Sequence, residues 1–245
     1  MLYSLIIHQE LGLTMTNVYV IAIANSKGGA LKTTACQVLA SEFVRQLVAP
    51  HLIDLDPNQH LSVWAKDVDF PSWEISSENT ILDDIERARE RDDLSIVMID
   101  VEGSRNMAMA YAIAQADLVI IPTQASDKDA IEVFKVDDFC IKQSKITGKE
   151  IRRSVLFTRT SSAFVTNIEK RLIKRFSEMG LDILKTRLSD RQAFVKLSEE
   201  GGGRYLHQLT AKDKREKEAN NKAVEIANQL AEEVIGKLAI GGNHE

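Results

Sequence analysis

The 245-residue sequence contains two cysteines, Cys36 and Cys140, in neither CxxC nor metal-ligand spacing. That excludes a disulfide scaffold and a zinc module, and both thiols read as small, reduced hydrophobes inside helices. There is no apolar run of about 20 residues and no secretory signal pattern, so a cytoplasmic location is expected and a membrane span is not. Aromatic residues make up only 6% of the chain and form no stacking platform, so nothing supports base-specific reading of nucleic acid. What the sequence does have is 44% hydrophobic content over a length that suits one α/β domain better than two.

Apolar, β-rich runs at residues 18–24, 51–55, 94–100, 118–122 and 154–157 predict strands. Helical spacing at 35–48, 81–91, 107–115, 130–146 and 168–179 predicts the segments between them. Such alternation implies parallel βαβ units, with a mostly parallel central sheet flanked by helices on both faces. A stripe of Ala223, Ala227, Leu230, Val234 and Leu238 predicts a last helix, whose glutamates favour a core-facing role over a lipid anchor. Residues 1–16 precede the first core strand and read as an N-terminal extension, leaving 17–245 as the domain.

The densest chemistry lies at Asn25-Ser26-Lys27-Gly28-Gly29-Ala30-Leu31-Lys32-Thr33-Thr34, between the first strand and the first helix. Helix N-terminal amides lack intrahelical partners and carry partial positive charge, so an anion is the natural guest. Paired glycines let backbone N–H groups curl around phosphate, Lys32 can reach its oxygens, and the Thr33 hydroxyl can ligate Mg²⁺. The bland alternative is a glycine-rich turn without chemistry. Two further strands end in carboxylates: Asp54 and Asp56, followed by Pro57-Asn58, and then Asp100, followed by Val101-Glu102-Gly103. Open α/β sheets hold ligands beyond such carboxyl ends. Glu102 either tunes the site or faces solvent.

With a lysine directly before the paired glycines, the loop resembles the ParA/MinD family of deviant Walker A ATPases, whose pattern is K-G-G-x-G-K-[ST]. The segment Asp54-Leu55-Asp56-Pro57 resembles that family's D-x-D-P-Q, and Leu118–Pro122 its A-D-x-V-x-I-P segment. The resemblance implies a P-loop NTPase fold, ATP and ADP as ligands with Mg²⁺, and slow ATP hydrolysis. Residues 27–34 (Lys27, Gly28, Gly29, Ala30, Leu31, Lys32, Thr33, Thr34) would hold the phosphates, and Thr158 and Arg159 would lie near the adenine. Thr33 and Asp100 would hold the metal, Asp56 would orient the attacking water, and Asp54 would act as the switch. Lys27 would reach the partner's phosphates in an ATP-dependent homodimer and, with Lys32 and Asp56, complete the catalytic set. Two departures stand out. Asn58 replaces the glutamine, and Leu31 replaces the glycine before the phosphate lysine, where a side chain either tolerates the local backbone or distorts the loop.

Charge is polarised along the chain. Residues 1–141 hold 10 basic and 22 acidic side chains, net −12, whereas residues 142–217 hold 19 and 9, net +10. A concentrated basic half can bind phosphate backbones although the whole chain is −5. Taken singly, each of its three clusters, 142–153, 170–175 and 212–217, is more often a solvated helix face than a DNA site. The family resemblance implies nonspecific duplex DNA binding, with Arg187, Arg191, Lys214, Arg215 and Lys222 as contacts, and a centromere-binding partner; the want of a basic amphipathic C-terminus argues against stable membrane association. It implies a plasmid- or nucleoid-associated partition protein. A conjugation-associated relative that recruits DNA-transfer machinery, and a hydrolysis-impaired scaffold, are the alternatives.

Overall fold

The computed structural model describes residues 18–91, 96–103, 107–197 and 203–239; the expected N-terminal extension and the first two residues of the run 94–100 lie outside them. Strands β1 (Tyr19–Ile23), β2 (Pro50–Asp54), β3 (Trp73–Ile75), β4 (Ile96–Asp100), β5 (Leu118–Thr123), β6 (Arg152–Thr160), β7 (Asp182–Ile183) and β8 (Leu188–Ser189) are described. The sheet order is β3-β2-β4-β1-β5-β6-β7, with β8 paired to β6, and these pairings are parallel. The helices are α1 (Lys32–Arg45), α2 (His60–Asp67), α3 (Ile81–Arg89), α4 (Met107–Gln115), α5 (Asp127–Thr147), α6 (Asn167–Glu178), α7 (Gln192–Leu197) and α8 (Lys214–Ala239).

The central strands β1, β2, β4 and β5 are buried at every position because both of their faces are covered, and successive side chains divide between two cores. Ile21, Ile23, Leu52, Met98 and Ile120 point to one face, against α1, α2, α7 and α8. Val20, Ala22, Ile53, Val97, Ile99 and Val119 point to the other, against α3, α4, α5 and α6. The stripe Ala223, Ala227, Leu230, Val234 and Leu238 of α8 is fully buried in the first core, as its spacing predicts. Among the described residues no helix is long and apolar enough to cross a membrane.

Strand order reverses around β1. The α1 crossover leads towards β2, whereas the chain leaving β4 passes through α4 to β5 on the other side. A crevice opens at the carboxyl ends of strands where such a reversal occurs. Register places Ile23 beside Asp100, and Asp100 beside Asp54, so both carboxylates end their strands on one rung, next to the loop that leaves β1.

The opposite end of β2 carries a polar cluster that the sequence reading left out. His51 is buried, with Nδ1 2.7 Å from Ser72 Oγ and Nε2 2.9 Å from Glu74 Oε1; Arg91 donates to the same Ser72 hydroxyl at 2.6 Å. Burial lowers the imidazole's pKa below its ordinary 6.5, the nearby Arg91 adds to this, and Glu74 and Asp84 oppose it without prevailing. The unfolded chain therefore takes up this proton first as pH falls, and the folded state loses stability below about pH 6.5. Urea unfolding at pH 7.5 and 5.5 should show a larger loss for the wild type than for His51→Gln; equal losses would remove this histidine from the pH dependence.

Candidate phosphate-binding site

The loop from Asn25 to Leu31 joins β1 to α1 and is braced from β5, β6 and α5. Asn25 Nδ2 donates to the Pro122 carbonyl at 2.6 Å, and Asn25 Oδ1 accepts the Lys27 backbone N–H at 2.9 Å. Gln124 Nε2 donates to the Gly29 carbonyl at 3.0 Å. The Ser26 hydroxyl donates to Glu132, and Lys27 Nζ lies 2.6 Å from Asp129 Oδ1. Gly28 and Gly29 are exposed with open space where a Cβ would stand, and Gly29 has φ 79°. The outer wall of the loop is therefore bare backbone, as a phosphate cradle requires.

Leu31 is the N-cap of α1 and has φ 66° and ψ 37°, the left-handed conformation that glycine adopts without penalty. The leucine neither escapes into an ordinary conformation nor breaks the loop. Its carbonyl accepts the Ala35 N–H at 2.9 Å, so the helix starts normally above a strained residue. Lys32 follows, buried, in the first turn. A Cβ placed on Gly103 would lie 3.5 Å from both Lys32 Nζ and the Ser26 carbonyl, so the turn after β4 brings that amine beside the start of the loop.

The two strand-end carboxylates differ in their partners. Asp54 accepts the backbone N–H of Asp56 at 3.0 Å on one oxygen and that of Ser62 at 2.8 Å on the other, tying the end of β2 to the first turns of α2. Burial raises its pKa, and the N–H groups partly offset this. Asp100 is fully buried, and its Oδ2 accepts the Thr33 hydroxyl at 2.6 Å. Burial pushes this carboxyl up to about 7, the Thr33 bond and Lys32 pull it down, and Asp54 and Asp56 push it up.

Asp100 Oδ1 is buried and has no hydrogen-bond partner among the described residues. An orphaned carboxylate oxygen beside a threonine hydroxyl at a helix N-terminus is the donor set that Mg²⁺ prefers, one or two protein oxygens with phosphate supplying the rest. The residues present fit the ion. Among the described residues no cluster of three or more His, Cys, Asp or Glu could hold a metal by protein ligands alone.

Asp56 is half-exposed, and its Oδ1 accepts both the backbone N–H (2.9 Å) and the side-chain amide (2.8 Å) of Asn58. Thr158 is fully buried, and its hydroxyl contacts the carbonyls of Ala30 (3.3 Å) and Thr123 (3.2 Å), bracing the loop from beneath. Arg159 is exposed at φ 50°. Glu102 is half-buried. The residues that sequence reasoning passed over are Asp129 and Glu132. The capping box Ser126-x-x-Asp129 was a local sign of a helix start, but no local pattern announces a contact with a loop some hundred positions earlier.

The basic residues fall into two groups. In the cluster 142–153, Lys142 pairs with Asp138, Lys149 with Asp117 and Arg153 with Asp137, while Arg152 donates to the carbonyl of Lys237 at the end of α8. In the second cluster Arg171 pairs with Asp127, and the Arg175 guanidinium lies 4.9 Å from the centre of the Phe134 ring. Arg187 donates to the buried Glu169 at 2.8 Å, and Arg191 to Ser189. Lys214, Arg215 and Lys222 are exposed along the start of α8 and make no ion pair among the described residues.

Strain at Leu31 predicts an order of stability. A left-handed leucine costs about 1–2 kcal/mol, and glycine returns about half of that as lost chain entropy. Thermal melts should therefore rank Leu31→Gly at or above wild type and Leu31→Val clearly below it, since a β-branched residue is worst placed there.

Comparison with known proteins agrees with this geometry. The family model described as VirC1 protein matches residues 18–239. A curated relative, Protein ParA of Rhizobium radiobacter, is 30% identical over 200 residues, 79% of this chain and 87% of that protein. Protein virC1 of the same organism is 26% identical over 184 residues, 71% of this chain and 78% of that protein. Among solved structures, apo McdA of Cyanothece has a TM-score of 0.63 at 17% identity, over 85% of this chain and 100% of that one. The ATP complex of Cyanothece McdA has a TM-score of 0.58 at 16% identity, over 94% and 99%. At such identities the structures speak for the fold, and the sequence matches carry the family. A strand-end loop with two lysines, a threonine on a buried aspartate and a match spanning nearly the whole described chain lead to one assignment: the chain belongs to the VirC1 family and is ParA-like, with the P-loop NTPase fold.

Proposed function

We propose that residues 17–245 act as one ATP-driven DNA-partitioning domain: ATP with Mg²⁺ closes two copies into a sandwich, the closed pair holds nonspecific duplex DNA, and slow hydrolysis resets it. The observation that carries the proposal is the Thr33–Asp100 bond with the orphaned Asp100 oxygen, set beside Lys32 and below an open glycine cradle. Thr33 and Asp100 would hold Mg²⁺, which supplies charge neutralisation on the phosphates. Lys32 and the amides of residues 28–33 bind and orient the triphosphate. Asn58 holds Asp56 by one oxygen, and Asp56 Oδ2 makes no hydrogen bond among the described residues, so it can position a water. Asp54 bridges the end of β2 to α2 and so can relay the state of the site into that helix.

Support for the nucleotide comes from the ATP complex of the similarly folded Cyanothece McdA, and for partitioning from the ParA relative. Support for DNA contact is strongest at Lys214, Arg215 and Lys222, because the first basic cluster is largely committed to internal ion pairs. Thr158, Arg159, Arg187 and Arg191 remain members of the proposed nucleotide and DNA sites. A centromere-binding protein is the proposed partner, and plasmid or nucleoid association within the cytoplasm the proposed location.

Sizing in solution with ATP, with ADP and without nucleotide tests the core of this reading. Lys32→Ala should lose nucleotide binding, whereas Lys27→Ala should keep it and fail to dimerise; an ATP-independent dimer indifferent to both changes would leave only a scaffold. Binding to random duplex across a salt series tests the second part. Each of Lys214→Ala and Arg215→Ala should weaken ATP-dependent binding on every sequence and reduce the slope of log K against log salt by about 1. Unchanged slopes would move the DNA surface elsewhere.

A further inference from the structure

The polar cluster near the amino end of β2 has a fixed direction. A guanidinium can only donate and a carboxylate can only accept, and burial keeps the imidazole between them neutral. Arg91 donates to Ser72 Oγ at 2.6 Å, so the Ser72 proton is directed at His51 Nδ1, 2.7 Å away. His51 then carries its own proton on Nε2, 2.9 Å from Glu74 Oε1, and Arg87 holds the other oxygen of Glu74 at 2.8 Å. The sheet produces this line. Ile53 is in register with Glu74, and alternation along the strands puts His51, Ser72 and Glu74 on the face that α3 covers. A serine hydroxyl aimed at a neutral imidazole, whose second nitrogen is oriented by a carboxylate, is the arrangement of an activated nucleophile. These three side chains line a cavity of about 370 Å³ whose walls include Phe70 and Trp73.

We propose that Ser72 is a nucleophile with His51 as its general base and Glu74 as the positioning residue, and that this cavity hydrolyses small carboxylic esters. It lies at the opposite end of β2 from Asp54 and does not depend on the nucleotide reading. A hydroxyl oxygen has two lone pairs, so Oγ keeps one for attack while the other accepts from Arg91. The bond from Oγ to the ester carbonyl carbon forms as the Ser72 proton passes to His51 Nδ1. The carbon–oxygen bond to the leaving group then breaks, and that oxygen takes the proton from Nδ1 as the alcohol departs. Water repeats the sequence on the acyl-serine: it gives a proton to Nδ1, the acid leaves, and the proton returns to Oγ. Arg91, already beside Oγ, is placed to donate to the carbonyl oxygen while that oxygen is negative. The aromatic wall and the size of the cavity fit a short acyl group.

The test exposes the full chain, without nucleotide, to a fluorophosphonate, which phosphonylates activated serines with loss of fluoride, and locates the adduct by mass spectrometry. Folded wild type should carry it on Ser72, and the urea-unfolded chain should not. No adduct on the folded protein, or equal labelling after unfolding, would overturn the proposal without recourse to a variant. His51→Gln should slow labelling by roughly 100-fold or more, and a rate within about twofold of wild type would also overturn it. Glu74 and Asp84 favour the protonated form of His51, whereas burial and Arg91 oppose it. Glu74→Gln should therefore move the pH midpoint of labelling downward, a change that mere support of the cavity wall would not cause, and an unmoved midpoint would overturn the positioning role. Saturable hydrolysis of p-nitrophenyl acetate should disappear in Ser72→Ala; its persistence would count against Ser72 as the nucleophile.

Discussion

The site depends on one arrangement: two aspartates that end adjacent parallel strands on the same rung, deep in a sheet covered on both faces, next to a helix N-terminus. Asp54 and Asp100 are in register, and neither is water-exposed. Left to themselves two buried carboxylates repel each other and resist ionisation: burial raises both pKa values, Asp54 adds to the rise at Asp100, and the nearby charge of Asp56 adds to both. The structure answers the two differently. Asp54 is satisfied by backbone N–H groups and so becomes a strut, whereas Asp100 receives one hydroxyl and keeps a bare oxygen. The incomplete satisfaction of Asp100 is what supports its proposed role in holding a cation.

The phosphate loop shows a similar division between what is tied down and what is left open. Its carbonyls and side chains are consumed by Pro122, Gln124, Asp129, Glu132 and Thr158, while its glycines face outward with nothing near. Bracing of this kind allows Leu31 to persist at a positive φ, since the surrounding bonds over-determine the conformation. It also answers the question raised by a leucine where the family has glycine: the cradle keeps its shape and the strain is absorbed at one residue.

How far the sequence reveals all this follows from the range of each interaction. The buried parallel strands are visible because burial on both faces makes them continuously apolar, and helices such as Met107–Gln115 are visible because the next strand bounds them. The short elements are not. β3 has three residues, β7 and β8 have two each, and α7 has six, too few for a period to declare itself. α2 begins after Gln59 in a left-handed conformation, directly behind a proline turn that reads as loop, so no capping residue announces it. Within the site, Lys27, Lys32, Thr33 and Asp100 could be nominated from spacing. The contacts of Lys27 with Asp129 and of Ser26 with Glu132 could not, because they join positions about a hundred residues apart through topology alone.

The basic half of the chain shows why composition overstates a binding surface. A net of +10 over residues 142–217 suggests a broad cationic face, yet Lys149, Arg171, Arg153 and Lys142 pair with Asp117, Asp127, Asp137 and Asp138 of the acidic half. Part of the polarity in sequence is thus folded back into ion pairs, of which Arg153–Asp137 joins β6 to α5 and Arg171–Asp127 joins α6 to α5. Exposed pairs of this kind add little stability each, but they remove their cations from the pool that could release counterions from a phosphate backbone. Lys214, Arg215 and Lys222 stay exposed without an ion pair among the described residues, on the helix whose apolar stripe is locked into the core beside α1. Since α1 begins at the glycine-rich loop, these cations and the proposed nucleotide site lie on two helices that pack directly together. That contact offers the shortest physical route by which loop and surface could influence one another.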